Sequence, residues 1–161
     1  MMGKTHISAG MITAIGMATT PFGQGEPLLA VLSLVTLGAI LPDIDLPEST
    51  IGRRLFFISI PINRLAGHRG ITHSLLPYAL LLTALYFFTP TIWFYCGVLL
   101  CAGVLSHLFL DMLNPRGIPI LYPYKKQFRI LKIRTGGRME NIFALGLLIS
   151  FIYIAINVFS G

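Results

Sequence analysis

Residues 92–115 read IWFYCGVLLCAGVLSHLFLDMLNP, and this stretch decides the fold. From Ile92 to Leu113 it is apolar almost without a break, and Asn114–Pro115 stops it, because proline lacks the amide proton a helix needs. A bilayer core takes about 20 helical residues to cross, and the run is long enough. Near its end stand His107 and Asp111. A separation of four sets both side chains on one helix face, one turn apart. Ionisable groups inside a membrane helix are costly to keep there and point first to function. One segment therefore predicts both a membrane helix and a polar site at its foot.

The rest of the chain extends the pattern. Of 161 residues, 55% are hydrophobic and 11% charged, against about 25% charged in a soluble domain. The mean hydropathy is +0.78, too apolar for a surface facing water on all sides. The length suits one domain over residues 1–161. A net charge of +6 raises nucleic acid as a partner. The basic residues lie between hydrophobic runs, however, which is the pattern of membrane loops, so no direct nucleic-acid binding is expected.

Four further apolar runs cover Ile7–Thr20, Leu28–Leu41, Leu75–Phe88 and Ile142–Phe159. Between them, Ile51–Leu65 mixes Arg53, Arg54 and Arg64 with Leu55, Phe56, Phe57 and Ile58. It reads as an amphipathic segment at the interface, interrupted at Pro61. The expected fold is an all-α, polytopic integral membrane bundle of four to five short transmembrane helices plus an interfacial helix. Ile7–Thr20 and Leu28–Leu41 are short for a span. Either each extends into its flanks or the pair forms a re-entrant hairpin. Gly10 and Ala14 are small enough to pack helices, within one chain or between copies, and the oligomeric state stays open. Cys96 and Cys101 lie five apart in one run, on different helix faces, and read as small apolar core residues.

If all five runs span, the connections alternate sides. The N-terminus, residues 42–74 and residues 114–141 fall on one side and hold all 12 Lys and Arg. Residues 21–27, 89–91 and the C-terminus fall on the other and hold none. Basic loops face the cytoplasm, so the expected place is a bacterial inner membrane, crossed several times, with the first side cytoplasmic.

The histidines, and every acid except Glu26, follow the same division. His6 starts the first run, and Asp43 and Asp45 close the second in LPDIDLP. His68 and His73 precede the third in HRGITHS, His107 and Asp111 end the fourth, and Glu140 precedes the fifth in GGRMEN. In extended backbone after Pro42, two residues apart, Asp43 and Asp45 point the same way. Imidazoles with carboxylates suit zinc, with manganese or iron next, rather than calcium. A catalytic zinc uses about three protein ligands and one open position. His6, Asp43, Asp45, His68, His73, His107 and Asp111 offer enough donors for one or two ions. Taken singly, each has a plainer reading. His107 with Asp111 is a helix pair, the two Asp are a turn, Thr72 and Ser74 cap the third helix, and Glu140 favours a helix start. Taken together, every histidine on one side is hard to assign to chance.

The combination of an N-terminal His, LPDIDLP, HRGITHS and HLFLDMLNP resembles a family of bacterial inner-membrane proteins. That family is described as metal-dependent hydrolases, and one branch is named for LexA binding or regulation. The resemblance runs from His6 to the last helix, with HRGITHS its most specific piece. It implies a divalent metal, held by the seven residues above, and a hydrolytic reaction. A fainter similarity, His and Asp four apart on a helix, runs to helical zinc-dependent phospholipases C and implies a phosphoester of a lipid or lipid-linked substrate. On this reading Arg69 holds a phosphate oxygen, and Glu140, or whichever of Asp43 and Asp45 is not a ligand, acts as general base. The basic stretch Lys125–Arg138 attracts anionic membrane lipids. Other readings are a structural ion that ties the helix ends, a partner-docking scaffold, and transport. Transport fits least, since Thr36 and Thr83 are the best polar groups the helix centres offer.

Overall fold

A computed structural model describes residues 2–159 and consists of helices joined by loops, with no strand among the described residues. Helix α1 covers Gly3–Ala18 and α2 covers Leu28–Ile40, which runs on into a 3-10 turn, Leu41–Asp45. Two short helices follow, α3 (Thr50–Arg54) and α4 (Phe56–Ala66). Then come α5 (Leu76–Phe88), α6 (Thr91–Met112) and α7 (Arg138–Phe159). The segments Leu28–Asp45, Thr91–Met112 and Arg138–Asn157 are long and apolar enough to cross a membrane. Helices α1 and α5, with 16 and 13 residues, are shorter than the roughly 20 residues a full crossing takes.

Glycines set how closely the central helices approach. A Cβ on Gly103 of α6 would lie 1.9 Å from the Val35 carbonyl oxygen of α2, and one on Gly38 would lie 2.0 Å from that of Leu100. Each glycine thus admits the other helix's backbone, the small-residue packing that joins helices where lipid removes the hydrophobic drive. Gly10 does the same for α1, where a Cβ would come within 2.6 Å of Ala39 Cβ. Ala14 is buried with Val31, Val35 and Leu99. Both residues therefore pack within the chain.

Three expectations are corrected. The amphipathic segment breaks at Leu55, between α3 and α4, and Pro61 lies inside α4. As the sixth of eleven residues Pro61 removes the amide bond to the carbonyl four residues back, yet the helix runs on through it to Ala66. Asp43 and Asp45 do not sit in extended backbone but in the 3-10 turn, where side chains two apart diverge. Thr72 and Ser74 do not cap α5, whose N-cap is Leu75 without a side-chain bond. Helix α4 exposes Phe56, Phe57 and Leu65 beside Arg53, Arg54 and Arg64, as an interfacial helix does. The loop after α6 is tied back to it, with Ile130 N donating to Met112 O at 2.7 Å and Ile133 N to Leu113 O at 2.9 Å.

Candidate functional site

The site lies where the starts of α1 and α7 meet the ends of α2 and α6, closed by the loop that precedes α5. That loop is the HRGITHS motif, and it is built around one carboxylate. Asp45 is fully buried. Its Oδ1 accepts from His68 Nδ1 at 2.8 Å, and its Oδ2 accepts from His73 Nδ1 and from the Arg69 backbone N–H, each at 3.0 Å. The Thr72 hydroxyl, read from sequence as a cap, donates to Oδ2 instead. Arg69 adopts φ +64° to turn its amide inward, a left-handed conformation that a non-glycine residue adopts at a cost.

Divergence in the 3-10 turn places the two aspartates on opposite edges of one ring. Asp45 holds His73 Nδ1, while Asp43 Oδ1 lies 3.9 Å from His73 Nε2 and 3.7 Å from His107 Nε2. His107 Nδ1 meets the Ala39 carbonyl at 2.7 Å. A carbonyl only accepts, and an ionised carboxylate only accepts, so both rings carry their proton on Nδ1. Their Nε2 lone pairs then face each other across 3.3 Å. Asp111 Oδ2 stands 3.6 Å from His73 Nε2 and accepts from Arg69 Nη2 at 2.9 Å. The His6 ring stacks on His107 at 3.7 Å between centroids, with Nε2 3.4 Å from Asp111 Oδ1. Besides that contact with Asp111, neither nitrogen of His6 has a hydrogen-bond partner among the described residues, although both are buried.

A cavity of about 660 Å³ opens onto this cluster, and Asp43, His68, Arg69, Asp111, Asn114 and Arg134 line it. Glu140 stands elsewhere. Its Oε1 accepts from Met2 N at 2.5 Å and Thr5 Oγ1 at 3.1 Å, and its Oε2 accepts from Gly136 N at 2.6 Å. It clamps the start of α1 to the start of α7. Three partners were missed by sequence reasoning. A backbone carbonyl such as that of Ala39 leaves no trace in a sequence. Asn114, read only as a helix stop, accepts from Arg69 Nη1 at 3.4 Å and donates to Thr135 Oγ1 at 2.5 Å. Thr72 carried a signal in its place between His68 and His73.

No solved structure matches this chain. An inner membrane protein named YdjM, from Escherichia coli, is 42% identical over 136 residues, 81% of this chain and 69% of the relative. The Shigella flexneri protein of the same name matches equally. A Bacillus subtilis protein named uncharacterized protein YvsG is 33% identical over 162 residues, covering 100% of this chain and 98% of its own. The YdjM inner membrane protein family matches over residues 1–161, and the chain belongs to that family.

Proposed function

We propose that this inner-membrane protein is a metal-dependent hydrolase that cleaves a phosphoester of a lipid or lipid-linked substrate at the cytoplasmic face. The observation that carries the reading is the pair of Nε2 lone pairs facing each other across 3.3 Å, with both Nδ1 protons committed elsewhere. Two lone pairs repel at that distance, and a cation between them removes the repulsion. A tetrahedral zinc with bonds of about 2.0–2.2 Å sets its donors roughly 3.3–3.6 Å apart. The triangle of His73 Nε2, His107 Nε2 and Asp43 Oδ1 has sides of 3.3, 3.7 and 3.9 Å. Zinc fits it with shifts of a few tenths of an ångström.

The same chemistry favours one ion over two. His6, His107 and Asp111 form a second candidate group, and Asp45, His68 and His73 a third. The second shares His107, whose only free lone pair is already aimed into the triangle. The third is internally hydrogen-bonded, so Asp45 serves as the carboxylate that orients a ligating histidine. His6 and Asp111 stand beside the triangle and complete the ion's surroundings.

When bound, the ion supplies Lewis acidity to a water or a phosphoryl oxygen. Arg69 lines the cavity and holds Asp111, with Nε still without a partner among the described residues. Its guanidinium is a cation at the cavity wall that would hold a phosphoryl oxygen. The placement of all 12 Lys and Arg supports a cytoplasmic site in a chain that crosses the membrane several times. Burial of His73 and His107 favours a second reading, an ion that only ties the helix ends. Metal content by mass spectrometry tests both, on detergent-purified wild type and on Asp43→Ala with His107→Ala. Stoichiometric zinc lost in the variant, with turnover of lipid phosphates by wild type, supports the hydrolase. Zinc without turnover of any lipid phosphate leaves the structural ion. A folded wild type that takes up no zinc or manganese sinks both.

A further inference from the structure

The four histidines divide into three and one. The side chains of His6, His73 and His107 are 0–1% exposed, whereas His68 is 27% exposed and lines the cavity. Its Nδ1 is committed to Asp45 Oδ1 at 2.8 Å, so the proton sits on Nδ1 and the lone pair on Nε2. Asp45 is immobilised by three further donors from the same loop. The His68 ring meets the His73 ring edge-on at 5.4 Å between centroids. It is thus next to the candidate ion site, yet its inward nitrogen cannot reach an ion without giving up Asp45. An imidazole oriented by a buried carboxylate, with the other nitrogen open to a cavity, is the arrangement that moves protons in hydrolysis.

We infer that His68 is the catalytic proton carrier of this site and Asp45 its positioning residue, and that neither is a ligand of the ion. The inference rests on the hydrolase reading above. His68 Nε2 accepts a proton from the attacking water as a bond forms between that oxygen and phosphorus. It then gives the proton to the leaving oxygen as the bond from that oxygen to phosphorus breaks. The imidazole ends neutral, Asp45 keeps its hydrogen bond to Nδ1 throughout, and the net change is phosphoester plus water to phosphate plus alcohol.

The experiment measures two things on full-length protein in detergent. One is zinc content, for wild type, His68→Ala, His68→Gln and His73→Ala. The other is turnover of p-nitrophenyl phosphate and bis(p-nitrophenyl) phosphate, with and without added imidazole. Both His68 variants are expected to keep wild-type zinc while turnover falls about 100-fold or more. Imidazole restores part of it in His68→Ala, which has room for the ring, and none in His68→Gln. His73→Ala loses zinc. Loss of zinc from both His68 variants overturns the inference by making His68 a ligand, and wild-type turnover in either overturns it by removing His68 from the reaction. A wild type that binds zinc and cleaves neither these esters nor any lipid phosphate overturns the hydrolase reading and this role with it. A wild type without zinc removes the ion itself.

Discussion

Helices α6 and α7 have equal length, 22 residues each, and near-equal mean hydropathy in their membrane windows, 1.9 and 2.0. They do opposite jobs. Of the residues in those windows, 39% are buried in α6 and 11% in α7. Leu145, Ile149 and Tyr153 of α7 are more than half exposed, which in this setting means facing lipid. Hydropathy cannot separate the two, because a leucine against lipid and one against protein are equally well off. Small residues separate them. Gly103 of α6 lets the Val35 carbonyl of α2 come close, whereas a Cβ on Gly146 of α7 would meet nothing within 4 Å. The polar residues differ too: α6 ends in His107 and Asp111 at the candidate ion site, while α7 starts with Glu140, a clamp.

The comparison breaks most sharply at Gly103. Gly103→Leu forces a side chain against backbone that has no room to move, at a cost of about 3 kcal/mol or more. The expected result is loss of folded protein, read by thermal unfolding in detergent. An unchanged melting temperature would mean that α2 and α6 are not packed through this glycine. Metal removal comes next. If the foot of α6 holds zinc, saturation at 100 times Kd adds about 2.7 kcal/mol of stability. Chelation should then lower Tm in wild type and leave Tm of His107→Ala unmoved. Equal responses would separate the metal from α6. Asp45→Asn is a smaller change, since it loosens His73 without removing a ligand. It should weaken zinc binding about 10–100-fold, read by competition with a chromogenic chelator. Unaltered affinity would show that the HRGITHS loop does not orient His73.

Much of the fold was legible because apolar runs and their stops need no tertiary information. The run from Ile92 to Leu113, stopped at Asn114–Pro115, lies within one residue of α6 at each end. The spacing of His107 and Asp111 gave their shared face, because helix periodicity is local. What stayed hidden depends on neighbours. Nothing in LPDIDLP says that the turn is 3-10, so the divergence of Asp43 and Asp45 around His73 could not be read. His68 and His73 look alike in HRGITHS, and only the placement of Asp45 gives them different surroundings. Glu140 looked like a member of the site because it shares its side of the chain. Its bonds to Met2, Thr5 and Gly136 form only once α1 lies against α7.

The last two changes sharpen the comparison from the α7 side. Glu140→Gln exchanges one acceptor oxygen for an NH₂ that would face the donors of Met2, Thr5 or Gly136. A buried donor left without an acceptor costs on the order of 1–2 kcal/mol. Tm should fall while zinc content stays at the wild-type level. A loss of zinc would place Glu140 in the ion site after all. Gly146→Ala is the smallest change and the cleanest contrast with Gly103. The added methyl meets open space, and alanine is favoured over glycine in a helix by up to about 1 kcal/mol. Tm should therefore hold or rise slightly, where the same methyl at Gly103 would stand 1.9 Å from a carbonyl oxygen. Destabilisation by Gly146→Ala would mean that a close neighbour covers this face of α7, such as a second copy of the chain. The rule that small residues mark the packed helix would then apply to α7 as well.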